Sequence, residues 1–103
     1  MSADVIRSDD SIRDVENIAG YYVDQKTPAT ALKFARAVTR TLDLLAAFPE
    51  IGTPWESKAA RLQGMRFQNV HSFRNYLIFY RMTDPGLYVE RIVDGRRDVE
   101  QIL

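Results

Sequence analysis

The spacing of apolar residues changes near residue 65, and this change most strongly limits how the chain can fold. Before it, two segments repeat apolar residues every three or four positions, which is typical of amphipathic helices. After it, apolar residues alternate with polar ones or run continuously, which is typical of strands. Two helices followed by several strands predict an α+β fold.

The first helical segment follows Ser8, whose side chain is suited to cap a helix, and Asp9 and Asp10 favour the same N-terminus. We expect this helix to extend to about Asp24. Its apolar stripe contains Ile12, Val15, Ile18, Ala19 and Tyr22.

A second helix is predicted to begin at Thr27-Pro28, because threonine can cap a helix and proline suits its first position. It should end near Phe48-Pro49. Because the two helices are separated by only a few residues, they should form an antiparallel hairpin. The stripe of the second helix contains Ala31, Ala35, Val38, Leu42 and Leu45, with Phe34 and Phe48 beside it.

The rest of the chain predicts a loop and a small sheet. Residues 49–64 contain two prolines and two glycines and are interpreted as a loop in which Trp55 fills a gap in the core. The expected strands are a short edge strand at 4–6, an alternating strand from residue 65 to 70, a central run at 76–80, and a last strand at 87–93. Asp84-Pro85-Gly86 supplies the final turn.

These elements predict a single domain, residues 1–103, in which an N-terminal helical hairpin packs on a small antiparallel β-sheet. The hairpin covers only one sheet face, whereas the central run 76–80 is apolar on both. The second face therefore needs another cover: the C-terminal tail, a second copy of the chain, or a partner. We expect Ile102 and Leu103 to pack rather than fray.

Composition excludes several kinds of chemistry. The chain has no cysteine and one histidine, which removes thiolate chemistry, disulfides and most histidine metal sites. We expect no metal, because His71 has no second histidine and the acids nearest in sequence lie outside its stretch, and no cofactor, because nucleotide-binding motifs are missing. The first ten residues lack the pattern of a signal peptide and no apolar run has the length of a membrane span, which predicts a cytoplasmic protein that contacts no membrane.

Positive charge is concentrated in the second half, although the net charge is zero. No acid lies between Glu56 and Asp84. This asymmetry predicts a cationic patch for an anionic partner, and internal ion pairing is the alternative. The arginines on or beside the predicted strands are Arg66, Arg74, Arg81, Arg91, Arg96 and Arg97.

Metal-free RNA cleavage is one chemistry that such arginines could support. Arg66, Arg81 and Arg97 could stabilise phosphorane charge, and Lys58 or His71 could move a proton. The set is incomplete, because no residue is evidently both base and acid. His71 falls at a turn between strands, where a structural histidine is the simpler interpretation.

The sequence resembles the RelE/ParE superfamily of bacterial type II toxins, also called plasmid stabilisation proteins. The resemblance covers nearly the whole chain, and its most specific parts are two blocks in the sheet and tail. These blocks are Asn75-Tyr76-Leu77-Ile78-Phe79-Tyr80-Arg81, and Arg91-Ile92-Val93 with Gly95-Arg96-Arg97-Asp98.

The resemblance implies one of two activities: RelE-like members cleave messenger RNA in the ribosome, and ParE-like members poison DNA gyrase. RelE-like nucleases carry an arginine where this chain has Leu77, often a histidine where it has Asp94, and a catalytic tyrosine or histidine in a tail that here reads Gln101-Ile102-Leu103. These departures favour the ParE-like activity. Arg66 and Arg97 match positions that stay cationic in the superfamily, so the nuclease remains the alternative.

The resemblance therefore implies a growth-arresting gyrase inhibitor, not itself an enzyme, that is neutralised by a ParD-like antitoxin. DNA would be contacted only indirectly, through the antitoxin. An acidic, amphipathic antitoxin tail would lie along Ile12, Tyr22, Ala35 and Leu42, or over the sheet, with its carboxylates on Arg66, Arg81 and Arg97. If the chain is instead the nuclease, Arg66, Arg97 and His71 would be its catalytic residues. A chain that keeps antitoxin binding but has lost toxicity is the third possibility.

Overall fold

A helical hairpin lies across a five-stranded sheet in the computed structural model, which describes residues 2–103. This arrangement confirms the predicted α+β class. In chain order the elements are β1 (Val5–Arg7), α1 (Asp9–Asp24), α2 (Pro28–Ala47), β2 (Thr53–Pro54), a 3-10 turn (Ala60–Leu62), β3 (Arg66–Val70), β4 (Phe73–Met82), β5 (Leu87–Asp94) and α3 (Val99–Ile102).

The sheet has the order β1-β5-β4-β3-β2 and is mixed rather than wholly antiparallel. Strands β2 to β5 pair antiparallel as expected, whereas β1 runs parallel to β5, with Val5 opposite Leu87 and Arg7 opposite Val89. The prediction of a purely antiparallel sheet is therefore wrong at this edge. Local spacing could identify the strand, but its direction depends on a pairing across more than 80 residues.

Helix α1 begins as predicted, since the Ser8 side chain accepts a hydrogen bond from the Ser11 amide at 2.9 Å. Its inward stripe, however, starts at Ser11, which is fully buried, whereas Ile12 is 40% exposed. The Ser11 hydroxyl donates to the Ser8 carbonyl at 2.8 Å, so this small polar residue can occupy the inward position. Ile12 is then turned by about 100° away from the core.

Helix α2 contributes the larger share of the helical core, with Phe34, Val38 and Leu45 fully buried. Phe48 is 60% exposed and does not widen the stripe, because the helix ends at Ala47. The Thr27 hydroxyl donates to the Tyr22 carbonyl at 2.6 Å and does not cap α2, so it ties the two helices together. Neither α1 nor α2, nor any other helix in residues 2–103, is long and apolar enough to span a membrane.

The sheet separates two apolar clusters, one on each face. On the first face the helices pack against Ile78, Tyr80 and Ile92. The second face carries a cluster that the chain builds from its own loop and tail. That cluster contains Leu62, Met65, Phe79, Val93 and Val99, with Trp55, Phe67, Ile102 and Leu103 packed against it.

The second face is therefore covered internally, by the loop and by the C-terminal tail, which was the first of the three covers considered for it. Trp55 fills the core as predicted, edge-on to Phe79 with ring centroids 5.4 Å apart. The tail is held over it by Glu100, which accepts hydrogen bonds from Ser57 and from the Trp55 indole. These hydrogen bonds lower the pKa of Glu100, and the bond from Ser57 contributes most. Arg61 also donates to the Leu103 carbonyl.

Tyr80 fixes the segment that links α2 to the sheet. Its hydroxyl donates to the Pro49 carbonyl at 2.7 Å and accepts from the Gly52 amide at 3.0 Å. Burial raises the pKa of Tyr80, so the phenol stays protonated and able to donate. A Cβ atom at position 52 would lie 2.2 Å from the Tyr80 hydroxyl oxygen, which leaves space only for glycine.

Replacing Gly52 with alanine should therefore destabilise the fold, by more than about 2 kcal/mol, because the buried phenol cannot move aside. Urea unfolding measures the change. Tyr80→Phe removes the closest atom but keeps two ring carbons 2.8 Å from that Cβ, so it should relieve part of the cost, with a coupling of at least about 1 kcal/mol in a double-mutant cycle. Additive effects would contradict the proposed steric contact; Gly20→Ala is the control, since a Cβ there meets nothing within 4 Å.

Candidate functional site

Most of the strand arginines hold the fold together. Arg66 on β3 donates to the carbonyls of Gly52 at 2.7 Å and Glu50 at 3.1 Å. Arg81 on β4 lies 3.0 Å from a Glu90 carboxylate oxygen and donates to the Arg61 carbonyl at 2.8 Å. Both guanidinium groups therefore hold loop segments against the sheet. They are bound within the fold, as the alternative of internal pairing predicts.

Arg91 joins the sheet to α1. Its guanidinium makes a two-pronged contact with Asp14, at 2.8 and 2.9 Å, and Asp14 also accepts from the Ile92 amide at 2.9 Å. The hydrogen bonds that it donates to Asp14 raise the pKa of Arg91. The two side chains are only 27% and 11% exposed, so this pair is screened less by water than a surface pair.

The two arginines after β5 differ from one another. Arg96 makes two side-chain contacts to Asp94, the shorter at 2.7 Å, and these lower the pKa of Asp94. The Arg97 side chain makes no hydrogen bond or ion pair with any residue from 2 to 103. Arg97 is thus the member of the predicted partner-binding arginines that is available to an outside anion.

A cleft of about 660 Å³ is bordered by α1, β5 and the tail, and we call it the α1–β5 cleft. Tyr21 and Tyr22 form its helical side, Tyr76 lies on its floor, and Asp94 and Arg97 border its sheet side. Burial, with a smaller contribution from Tyr22, raises the pKa of Tyr76 to about 12, so its hydroxyl remains a hydrogen-bond donor. Aromatic walls beside an unpaired cation suit a peptide segment that carries both apolar and acidic side chains.

The four apolar residues predicted to line a partner groove do not form one. Tyr22 lines the α1–β5 cleft, and Ala35 lies in a separate depression on the outer side of α2. Ile12 is exposed on α1, away from the core stripe. Leu42 is only 4% exposed and packs in the main core, so it is not available to a partner. The α1–β5 cleft therefore includes two of the predicted residues, Tyr22 and Arg97.

The three residues of the nuclease alternative lie in different clefts. Arg97 borders the α1–β5 cleft, Arg66 lies beside Trp55 and Met65, and His71 lies beside α2. His71 occupies the turn between β3 and β4, as predicted, and its amide donates to Thr41 at 3.0 Å. Within residues 2–103 no three histidine or acidic side chains come together as a metal site would require.

Sequence reasoning missed the residues that complete the α1–β5 cleft. Tyr21 falls outside the apolar stripe predicted for the first helix, and Tyr76 falls within the predicted central strand. Tyr21 is 56% exposed. An aromatic residue that falls beside the apolar stripe of a helix is the sequence feature that could have indicated it.

The Asp14–Arg91 pair should be worth more than a surface pair. Asp14→Ala leaves a half-buried guanidinium and the Ile92 amide without their acceptor, and should lower the free energy of unfolding by about 2 to 3 kcal/mol. Urea unfolding is the measurement. Arg13→Ala breaks the exposed pair with Asp10 and is the control, with no resolvable change expected. Equal effects of the two changes would contradict a structural role for Asp14.

Comparison with known proteins agrees with this fold. The family model described as "ParE toxin of type II toxin-antitoxin system, parDE" matches residues 5–99. A solved structure, described as the chromosomal ParDE TA system from P. aeruginosa, superposes with a TM-score of 0.74 at 17% identity, covering 90% of this chain and 96% of that one. No curated protein matches the sequence. Because the family model spans nearly the whole chain, the chain belongs to the ParE toxin family of type II toxin–antitoxin systems.

Proposed function

We propose that this toxin inhibits DNA gyrase by binding it, cleaves no RNA, and is neutralised by an acidic, amphipathic segment of a cognate antitoxin. Family membership supports the toxin class. The observation that carries the choice of binding over catalysis is the separation of Arg66, Arg97 and His71 into three clefts. General acid–base catalysis requires its groups within hydrogen-bonding reach of one reacting centre.

The positions where RelE-like nucleases differ from this chain have structural roles here. Leu77 packs in the second apolar cluster, and Asp94 is bound by Arg96. The tail residues Ile102 and Leu103 pack in that same cluster, where a nuclease would present a catalytic side chain. None of these positions presents a proton donor, which supports a function in binding rather than in catalysis.

The nuclease alternative is favoured by one observation, the unpaired Arg97 guanidinium, which could stabilise a phosphorane. Both acids that line its cleft are bound by other arginines, Asp94 by Arg96 and Asp14 by Arg91. A single cation contributes charge stabilisation without proton transfer.

Gyrase supercoiling and message cleavage, assayed side by side, separate the two activities. The purified chain should inhibit supercoiling by bacterial DNA gyrase and increase cleaved DNA, while messenger RNA in a translation extract stays intact. The same chain saturated with antitoxin is the control and should be inactive. Cleaved message with unimpaired supercoiling would establish the nuclease instead, and activity in neither assay would indicate a toxin that has lost its activity.

The antitoxin segment is proposed to bind the α1–β5 cleft, with apolar side chains against Tyr21 and Tyr22 and a carboxylate on Arg97. Arg97→Glu should weaken binding of the antitoxin at least about tenfold, because it places like charges together. Arg13→Glu, an equal charge change on exposed α1, is the matched control and should change affinity little. Calorimetric titration of the cognate antitoxin gives both values.

Co-expression provides the cellular counterpart. Expression of the chain alone should arrest growth. Co-expression of the neighbouring reading frame, which is expected to encode the antitoxin, should restore growth more fully for the wild type than for Arg97→Glu. Equal growth with and without that frame would contradict the toxin–antitoxin proposal. Equal affinity of the two charge variants would contradict only the placement in this cleft.

A further inference from the structure

Two acid-free segments meet beside α2. No acid lies between Asp24 and Asp43, and none lies between Glu56 and Asp84. The fold brings them together at the β3–β4 turn, where the His71 amide donates to the Thr41 hydroxyl at 3.0 Å. The surface at this junction therefore carries basic groups without acids from either segment.

The basic groups of α2 lie on one side of the helix. Lys33, Arg36 and Arg40 follow the i, i+3, i+7 spacing, which places them within an arc of roughly 60° and along about 10 Å of the axis. All three are exposed, and none makes an ion pair or a side-chain hydrogen bond with the part of the chain that the structure describes. With His71 and Ser72 they border a cleft of about 520 Å³, and we call this surface the α2 cationic face.

We infer that the α2 cationic face binds the phosphate backbone of duplex DNA. Successive phosphates on one strand lie about 3.4 Å apart along the axis of the duplex, so the face spans about three of them. Arginine and lysine side chains and a serine hydroxyl are the groups that typically contact DNA phosphates. Because no base-reading groups are needed, the binding is independent of sequence.

An acidic protein segment fits this face less well, because it would need apolar pockets to anchor it. Ala37 in the cleft is buried, and the Phe73 ring is engaged in the core, with its centroid 5.2 Å from that of Phe34. Single-stranded nucleic acid fits less well for a related reason, since it is held by stacking on exposed aromatic rings. Of the two aromatic rings that border the cleft, Phe73 is packed on Phe34 and Tyr22, which leaves the His71 imidazole as the exposed one.

This inference does not depend on gyrase inhibition or on the antitoxin, because binding to a free duplex is measured without either. It differs from the expectation of indirect DNA contact through the antitoxin. Since the net charge of the chain is zero, the affinity must come from the local charges and should depend steeply on salt.

The test is fluorescence anisotropy of a labelled 20-base-pair DNA duplex of mixed sequence with the purified full chain. With about three phosphate contacts, affinity should fall roughly 40-fold between 50 and 200 mM salt. Arg36→Gln/Arg40→Gln should weaken binding at least about tenfold at 50 mM salt and flatten the salt dependence to that of about one contact. Arg36→Lys/Arg40→Lys should retain both the affinity and the salt dependence, because phosphate contacts need only the charge.

The matched control is Arg13→Gln/Lys58→Gln, which removes two exposed charges outside the α2 cationic face. Circular dichroism checks that all variants keep the native helix content, which glutamine supports about as well as arginine. No duplex binding at 50 mM salt, an equal loss in the control, or tighter binding of a 20-nucleotide single-stranded RNA would overturn the inference. The inference would also be overturned if a polyglutamate peptide bound through Arg36 and Arg40 and the duplex did not bind.

Discussion

The central strand β4 is apolar on both faces, and the remaining elements are arranged around this constraint. Ile78 and Tyr80 face the helices, whereas Phe79 faces the loop and tail, and all three are fully buried. Burying a side chain of this size contributes about 1.5 to 3 kcal/mol, so neither face can be left to water without a large loss. Within residues 2–103 the two long helices cover one face, and the irregular segment 55–65 with the short helix α3 covers the other.

This second cover explains how the arginines are used. A loop has few backbone hydrogen bonds of its own, so its carbonyls need donors from elsewhere. Arg66 and Arg81 supply them to residues 50, 52, 61 and 63, while Arg61 supplies one to the C-terminus. Three of the eight basic residues in the second half therefore fix loops or the tail onto the sheet. Charge asymmetry in a sequence does not by itself separate this use from binding a partner.

The parts of the structure that could be predicted from sequence are those set by local interactions. The Ser8 cap, the hairpin, the strands near 66–70 and 87–94 and the His71 turn each depend on neighbours within a few residues. The parallel direction of β1, the outward position of Ile12 and the pairing of Arg91 with Asp14 depend on contacts across many residues, which periodicity does not encode. The candidate site lies at such a long-range junction, and of the residues predicted to bind the antitoxin it includes Tyr22 and Arg97.

The cations on the strands and those on helix α2 differ in burial and in their partners. Arg66, Arg81 and Arg91 are partly covered and have partners within the fold, whereas Lys33, Arg36 and Arg40 are exposed and have none in residues 2–103. An arginine that leaves water must be matched by acceptors, because an unmatched buried charge costs several kcal/mol. An exposed cation has no such requirement and contributes little to stability. Changes to the sheet arginines would therefore act first on folding, and changes to the helix cations and to Arg97 would act on recognition. The sheet serves as the scaffold, and the outer helical surface together with the α1–β5 cleft remains available for contacts with other macromolecules.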